Sequence, residues 1–237
     1  MDNGWDQSAQ GWIAHLGERG DWGRENILDP AMLARVDLQR FAKALDVGCG
    51  EGRFCRMLQK RGIATIGIDT CQPLLDAARS HDSSGDYRLA SAESLPFDDD
   101  AFDLVVSYVT LCDIADFRAA IREMARVLRP GGTLLIANLT SMSTADAGGG
   151  WVSDESGRLL HWPVDRYLDE YSMRSEWKGI SIVNWHRPLS AYMNALLETG
   201  LRLIFFDEPV PQSGEVERQE RYRHMPWFLI MEWRSPG

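Results

Sequence analysis

The chain reads as an α/β protein with a doubly wound, mostly parallel sheet, and three observations predict it. Short apolar runs at 43–47, 64–68, 86–90, 102–107 and 132–138 alternate with stretches of helical spacing at 52–61, 72–80 and 116–128. Strands separated by helices pair in parallel and carry helices on both faces. Between the first run and the first helix stand three glycines on alternate positions, Gly48, Gly50 and Gly52. Glycines at that density let the backbone turn sharply and leave room for a ligand. Finally, 237 residues at 44% hydrophobic content suffice for one such domain with an insertion.

In chain order, residues 1–40 read as two helical segments joined by a loop. Trp5, Ala9, Trp12, Ile13 and Leu16 share a helical stripe, which Gly17, Gly20 and Gly23 interrupt. The second segment, about 30–41, begins at Pro30, a favoured first helical residue after Asp29. The five strands and three helices follow, and Phe117, Ile121, Met124 and Leu128 form the buried face of the last helix. Residues 140–187 break the alternation. Gly148-Gly149-Gly150 is a joint, and Trp151-Val152-Ser153 and Leu159-Leu160-His161-Trp162 flank Glu155-Ser156-Gly157 as a hairpin does. Gly179 to Trp185 alternates like a further strand. A helix at about 189–199 is stopped by Gly200, and strands at 201–206 and 227–233 finish the chain. The expected organisation is an N-terminal helical lid (1–40), a binding core (41–139), an inserted cap (140–187) and the C-terminal part of the core sheet (188–237).

Composition removes several classes of function. A net charge of −10 disfavours a nucleic-acid partner, because phosphate contacts require clustered Lys and Arg. The longest apolar stretches, 104–112 and 133–137, fall far short of the ~20 residues that a bilayer crossing needs. The four cysteines, at 49, 55, 71 and 112, form no Cys-x-x-Cys pair and no metal spacing with histidine. Reduced thiols, an acidic start at Met1-Asp2 without a cationic leader, and no metal are therefore expected, in a cytoplasmic protein.

Spacing narrows the ligand. A dinucleotide fingerprint wants a third glycine where Arg53 stands, and a phosphate loop wants Gly-Lys-Ser or Gly-Lys-Thr, which is absent. The run Thr65-Ile66-Gly67-Ile68-Asp69 ends in a second carboxylate beside the turn. Asp69 suits the two hydroxyls of a ribose, and it suits equally the cap of the helix that begins near Cys71.

Leu45-Asp46-Val47-Gly48-Cys49-Gly50-Glu51-Gly52 resembles the first motif of class I S-adenosylmethionine-dependent methyltransferases, and Gly67-Ile68-Asp69 resembles their second. Ala90 to Phe97 is similar to their adenine segment, Asp103 to Ser107 to their fourth strand, and Glu123 to Gly132 to their Pro-Gly-Gly turn. The resemblance covers roughly residues 40–140 and implies a Rossmann-like, seven-stranded sheet closed by a C-terminal antiparallel hairpin. It implies S-adenosylmethionine as cofactor and S-adenosylhomocysteine as product. Asp46, Gly48, Cys49 and Gly50 would surround the methionyl part, Asp69 the ribose, Ala92 and Glu93 the adenine, and Ser107 the end of the fourth strand. Ser91 stands where the family often has Asp, which leaves Ala92 and Glu93 as the adenine contacts. Asp46 would touch the cofactor or only hold the glycine turn by accepting N–H groups.

No residue announces itself as catalytic base. Asp113 would face the acceptor or cap the next helix; His161 and His186 would serve from the cap or merely pack there. Trp5, Trp12 and Trp22 would close as a lid or pack a surface helix. Tyr108, Tyr167, Tyr171 and Tyr192 would line the pocket or be ordinary half-buried tyrosines. Arg166, Arg174 and Arg187 would hold an acidic substrate or form a solvated face. The activity expected is methyl transfer to a small molecule, by a monomer or homodimer. A non-catalytic S-adenosylmethionine-binding protein is the alternative. A protein or RNA methyltransferase ranks below both: the acidic charge disfavours RNA, and Ser-Tyr-Val-Thr at 107–110 lacks the Asn-Pro-Pro-Tyr-like pattern that would accept a flipped base amine.

Overall fold

Alternate residues along each central strand turn to opposite faces, as a two-residue repeat requires. The computed structural model describes residues 3–37, 40–145 and 150–237. Five strands, β1 (Lys43–Val47), β2 (Ala64–Asp69), β3 (Asp86–Leu89), β4 (Phe102–Tyr108) and β5 (Leu128–Leu139), pair in parallel. Two hairpins stand outside the sheet: β6 (Val152–Ser153) with β7 (Leu159–His161), and β8 (Tyr171–Trp177) with β9 (Ile180–His186). Then β10 (Arg202–Asp207) and β11 (Phe228–Arg234) join antiparallel, giving the order β10-β11-β5-β4-β1-β2-β3. The strand order reverses between β1 and β4, and ligands of such sheets bind outside the carboxyl ends at that point.

Among the described residues, eight α-helices accompany the sheet: α1 (Trp5–Leu16), α2 (Asp29–Asp37), α3 (Arg53–Gln59), α4 (Gln72–His81), α5 (Phe117–Arg126), α6 (Ser141–Thr144), α7 (Leu189–Glu198) and α8 (Val216–Arg223). On one face Leu45, Val47, Val105, Leu134 and Ile136 pack with Phe117, Ile121 and Met124 of α5 and Tyr192 and Leu196 of α7. On the other, Ala44, Leu104, Val106 and Leu135 meet Met32 and Val36 of α2 and Phe54 and Leu58 of α3. Strand parity thus sends Asp46 to the α3 side and Ser107 to the α5 side.

The N-terminal region differs from its expectation. Gly23 is helical (φ −66°), a π-turn runs through Arg24–Leu28, and Asp29 continues into α2 without acting as a cap. Pro30 has no N–H to give the carbonyl of Asn26, four residues back. That carbonyl accepts instead from the Gln212 N–H at 2.9 Å, so a distant loop supplies the missing donor. Asp29, free of capping, accepts from both terminal nitrogens of Arg53 (2.6 and 3.0 Å) and from the Tyr108 hydroxyl (2.5 Å). Strand β8 and helices α6 and α8 were not foreseen, and α8 separates the two C-terminal strands. Of the glycine joint at 148–150, Gly148 and Gly149 lie outside the described residues.

Candidate active site

The three motif glycines all hold positive φ (Gly48 74°, Gly50 55°, Gly52 74°), a backbone that L side chains resist. They have different neighbours. A Cβ on Gly48 would strike the Thr110 side chain, and one on Gly52 the Tyr87 ring. A Cβ on Gly50 would meet nothing nearer than the Trp12 indole nitrogen at 3.9 Å. Gly50 therefore faces open space, at the floor of a cavity of about 920 Å³ over the carboxyl ends of β1, β2 and β4. The turn is fixed from β2: the Ile68 carbonyl accepts from both Gly48 and Cys49 N–H, at 2.8 and 2.9 Å.

Asp69 stands two residues before Cys71, the N-cap of α4, and does not itself cap that helix; it ties the glycine turn to the start of α4. One oxygen accepts the Cys71 N–H ahead of α4, and the other accepts the Gly50 N–H, each at 2.9 Å. A carboxylate offers about four lone-pair sites, so capacity remains. Asp46 does not hold the turn's backbone. Its Oδ2 accepts from the Cys55 thiol at 3.3 Å, and its Oδ1 has no hydrogen-bond partner among the described residues, although Asp46 lines the cavity. Burial pushes its pKa up to about 7. Glu51 Oε1 is likewise buried without a hydrogen bond, with the Arg56 guanidinium 3.8 Å away. Open space beside Gly50, orphaned carboxylate oxygens and a ring of acids fit a ligand carrying an ammonium and a sulfonium.

Ala90, Ser91, Ala92 and Glu93 also line the cavity. Glu93 is exposed, and its carboxylate accepts the Asp116 N–H at 2.9 Å, tying this segment to the loop after β4. Ser107 departs from expectation. It is fully buried with an unpaired Oγ on the α5 side of the sheet, and Tyr108, Val109 and Thr110 take its place in the wall.

The candidate bases separate cleanly. Asp113 lies in the cavity wall and caps nothing; the cap of α5 is Asp116, which accepts from Ala119 N–H at 2.9 Å. Asn184 of β9 donates to Asp113 Oδ1, and burial pushes the Asp113 pKa up to about 7. His161 is exposed on β7, away from the cavity. His186 is fully buried with both ring nitrogens engaged, Nδ1 with Thr144 Oγ1 (2.8 Å) and Nε2 with the Tyr167 carbonyl (2.9 Å). It follows Asn184 on the same face of β9 but lies one step beyond the cavity.

The arginines sort differently from expectation as well. Arg187 is 1% exposed and donates to the carbonyls of Leu111, Ile114 and Ala115 (3.0, 2.6 and 2.9 Å), clamping the loop that carries Asp113. Arg166 is exposed and paired with Asp169, whereas Arg174 lines the cavity. Of the tyrosines, Tyr108 alone lines it; of the tryptophans, Trp5 and Trp12 do, joined by Trp177 and Trp185. Sequence reasoning also missed Asn184, His15 and Arg24. Only the alternation of 180–186 pointed toward Asn184.

The roof is two distant segments locked together. The Ser8 hydroxyl donates to the Ser181 carbonyl (3.1 Å) and accepts the Ser181 N–H (2.9 Å), while the Val183 N–H donates to Asn3 (2.9 Å). Gly4 and Gly11 flank Ser8, and side chains there would press on the carbonyls of Ser181 and Gly179. No described helix is long and apolar enough to cross a membrane.

Comparison with known proteins agrees with this geometry. The family described as a Methyltransferase domain matches residues 45–136. Methyltransferase GfsG of Streptomyces halstedii is 34% identical over 218 residues, 89% of this chain and 74% of that protein. Malonyl-[acyl-carrier protein] O-methyltransferase of Salmonella typhimurium is 35% identical over 121 residues, 51% of this chain and 48% of that protein. The match thus spans about half the length of the latter relative. An S-adenosylmethionine dependent methyltransferase structure from Mesorhizobium loti aligns with a TM-score of 0.77 and 29% identity, over 86% of this chain and 96% of that one. The chain belongs to the class I S-adenosylmethionine-dependent methyltransferases.

Proposed function

We propose that this chain transfers a methyl group from S-adenosylmethionine to a hydroxyl oxygen of a small molecule, with Asp113 as proton acceptor. The observation that carries the reading is one cavity whose wall holds both the open glycine turn and the Asp113–Asn184 pair. In this reading Asp46, Gly48, Cys49 and Gly50 hold the methionyl part, Asp69 the ribose, and Ala92 the adenine. Bound there, S-adenosylmethionine supplies a methyl on a positive sulfur, open to direct in-line displacement.

The protein's share is orientation, desolvation and one proton. Holding an acceptor in line is worth ~7–11 kcal/mol of the barrier. Asn184 keeps Asp113 Oδ1 turned toward β9, which leaves its other oxygen to accept the hydroxyl proton as the oxygen bonds to carbon. A carboxyl with a pKa near 7 matches such work at neutral pH. At 920 Å³ the cavity is near the top of the ~300–1,000 Å³ range of ligand sites, enough for two molecules side by side.

A methyl-transfer screen over alcohols, phenols, carboxylates, amines and thiols tests this, with Asp113→Asn beside the wild type. Turnover on hydroxyls, reduced about 10²–10⁴-fold in Asp113→Asn with S-adenosylhomocysteine affinity unchanged, is the expected result. Tight cofactor binding without turnover on any class would leave the chain a binding protein. Turnover confined to amines or thiols and indifferent to Asp113 would overturn the assignment of the base.

A further inference from the structure

Beside the large cavity lies a second cleft of about 380 Å³, and the two share His15, Asp21 and Phe228 in their walls. Parts of the chain far apart in sequence complete it: Gly20, Trp22 and Gly23 after α1, Lys178 at the tip of the β8–β9 hairpin, and Arg218 and Tyr222 on α8. Aromatic rings form a continuous stack along it. The Arg218 guanidinium lies 4.8 Å over the Trp22 ring, and Trp22 lies 4.8 Å from Tyr222 with planes 25° apart. Tyr222 in turn runs parallel to Phe228 at 6.4 Å and 16°, and Phe228 belongs to both walls.

Charge sets this cleft apart. Besides Arg174, and Arg24 and Arg53 that are paired with Asp21 and Asp29, the large cavity is lined by the acids Asp46, Glu51, Asp69 and Asp113, in a chain of net charge −10. At the second cleft the exposed Lys178 and Arg218 have no described carboxylate within ion-pair distance. Among the described residues lining it the one carboxylate is Asp21, which is taken by Arg24, donating to it from both guanidinium and backbone. Glu215, near Arg218, accepts the Trp22 indole N–H at 2.8 Å. Lys178 also holds φ 46° in the two-residue turn between Trp177 and Ile180. A left-handed backbone there favours glycine, yet the position carries a lysine, which puts its ammonium at the hairpin tip.

We infer that this cleft is a recognition subsite for an anionic group, a carboxylate or a phosphate, carried by the methyl acceptor. The anion rests between Lys178 and Arg218, the planar or apolar body lies along Trp22, Tyr222 and Phe228, and the reacting end enters the large cavity. This rests on the reading of the large cavity as the methyl-transfer site. It names cations that sequence reasoning did not: Arg166 and Arg187 are paired or buried elsewhere, and Arg174 belongs to the large cavity. Lys178 and Arg218, neither within ion-pair distance of a described carboxylate though Glu215 stands near Arg218, also favour capture of an anion by a molecule whose overall field repels it.

The test is calorimetry on the full chain with benzoate, phenyl phosphate and benzyl alcohol as probes, each with and without S-adenosylhomocysteine. At least one anion should bind about tenfold or more tightly than the alcohol, with the gap narrowing at high salt. The better of the two anions identifies carboxylate or phosphate. The Lys178→Ala/Arg218→Ala double variant should lose the preference and keep the wild-type affinity for S-adenosylhomocysteine. Anions binding no tighter than the alcohol, or a preference that survives in the double variant, would overturn the subsite. Failure of the wild type to bind S-adenosylhomocysteine would instead sink the methyl-transfer reading, and the titrations made without it still decide the cleft.

Discussion

Asp46 and Asp113 are both carboxyls pushed up to about 7 by burial, yet their partners differ and so do the expected consequences of replacing them. Asn184 donates to Asp113 and so favours its charged form. Activity that needs the carboxylate should rise with pH through about 7, and Asn184→Ala should move that rise to higher pH. An unshifted acid limb in the pH–rate profile would separate Asn184 from the proton transfer. Asp46 accepts only from a thiol, so its charge is poorly compensated until a cation arrives. Its folded pKa lies above the ordinary value of 3.8, so its stabilising contribution is complete below that value and is lost as pH rises through about 7. Asp46→Asn removes that loss: at pH 8 the cofactor-free protein should gain stability on the order of 4 kcal/mol, seen as a rise in Tm of several degrees. The same variant should bind S-adenosylhomocysteine more weakly. A lower Tm with unchanged affinity would return Asp46 to a purely structural role. At this scale motif and spacing picked out Asp46, Gly48, Cys49, Gly50, Asp69, Ala92 and Glu93, which share one cavity wall, and also Ser107, which does not reach it. The sequence could not rank Asp113 above His161 and His186, because residue type says what a side chain can do and not what already engages it.

Among the elements, α1 and β9 make the least expected connection. Gly4, Ser8 and Gly11 lie along one side of α1, and their small size lets its backbone approach that of β9. Gly4 holds φ 83°, and a methyl there would be driven onto the Ser181 carbonyl, so Gly4→Ala should part the two elements. Hydrogen exchange should then speed up in residues 5–16 and 180–183 together, with β1 and α3 unchanged. Faster exchange confined to the first helical turn would show that α1 and β9 are independent. The sequence made the alternating core strands legible because each buries side chains that repeat with the right period. It hid β8 for a matching reason: Tyr171 to Trp177 alternates partly exposed with exposed residues, so its pattern carries little contrast. The start of α2 was misread because Asp29-Pro30 is the usual signature of a helix N-terminus, while here the lost hydrogen bond is replaced by Gln212, some 180 residues away. Local signals do not anticipate a partner that only the fold supplies.

Across the whole molecule the buried acids and the surface pairs oppose each other as pH changes. Asp46 and Asp113 have pKa values raised by burial to about 7, so the folded chain gains stability as pH falls through that value toward 3.8, and Asp69, also raised by burial, acts in the same direction. Asp21 is the contrary case. Despite burial, the Arg24 guanidinium holds its pKa below 3.8, so its contribution is present above that value and is lost in stronger acid. Glu123, held low chiefly by Arg126, and Glu170, held low by Arg118, act in the same direction from more exposed positions and count for less. His186 also opposes the acids: burial lowers its pKa, so stability is lost as pH falls below its ordinary value of 6.5. Among the groups that titrate between pH 4 and 8, the shifts that reach about 7 belong to acids, Asp46 and Asp113, which places the stability maximum of the cofactor-free protein on the acid side of neutrality. Thermal melts without ligand should therefore give a higher Tm near pH 6 than at pH 8, and a lower one again near pH 4. Saturating S-adenosylhomocysteine brings an ammonium into the acidic cavity and adds RT ln(1 + [L]/Kd), about 2.7 kcal/mol at a hundredfold excess over Kd. Its stabilisation should be larger at pH 8 than at pH 6, because at pH 8 the ammonium compensates charge that burial otherwise leaves unpaired. Equal stabilisation at both values would mean that the cavity carboxyls stay uncharged when the ligand binds, and that the methionyl end is held by neutral groups of the glycine turn alone.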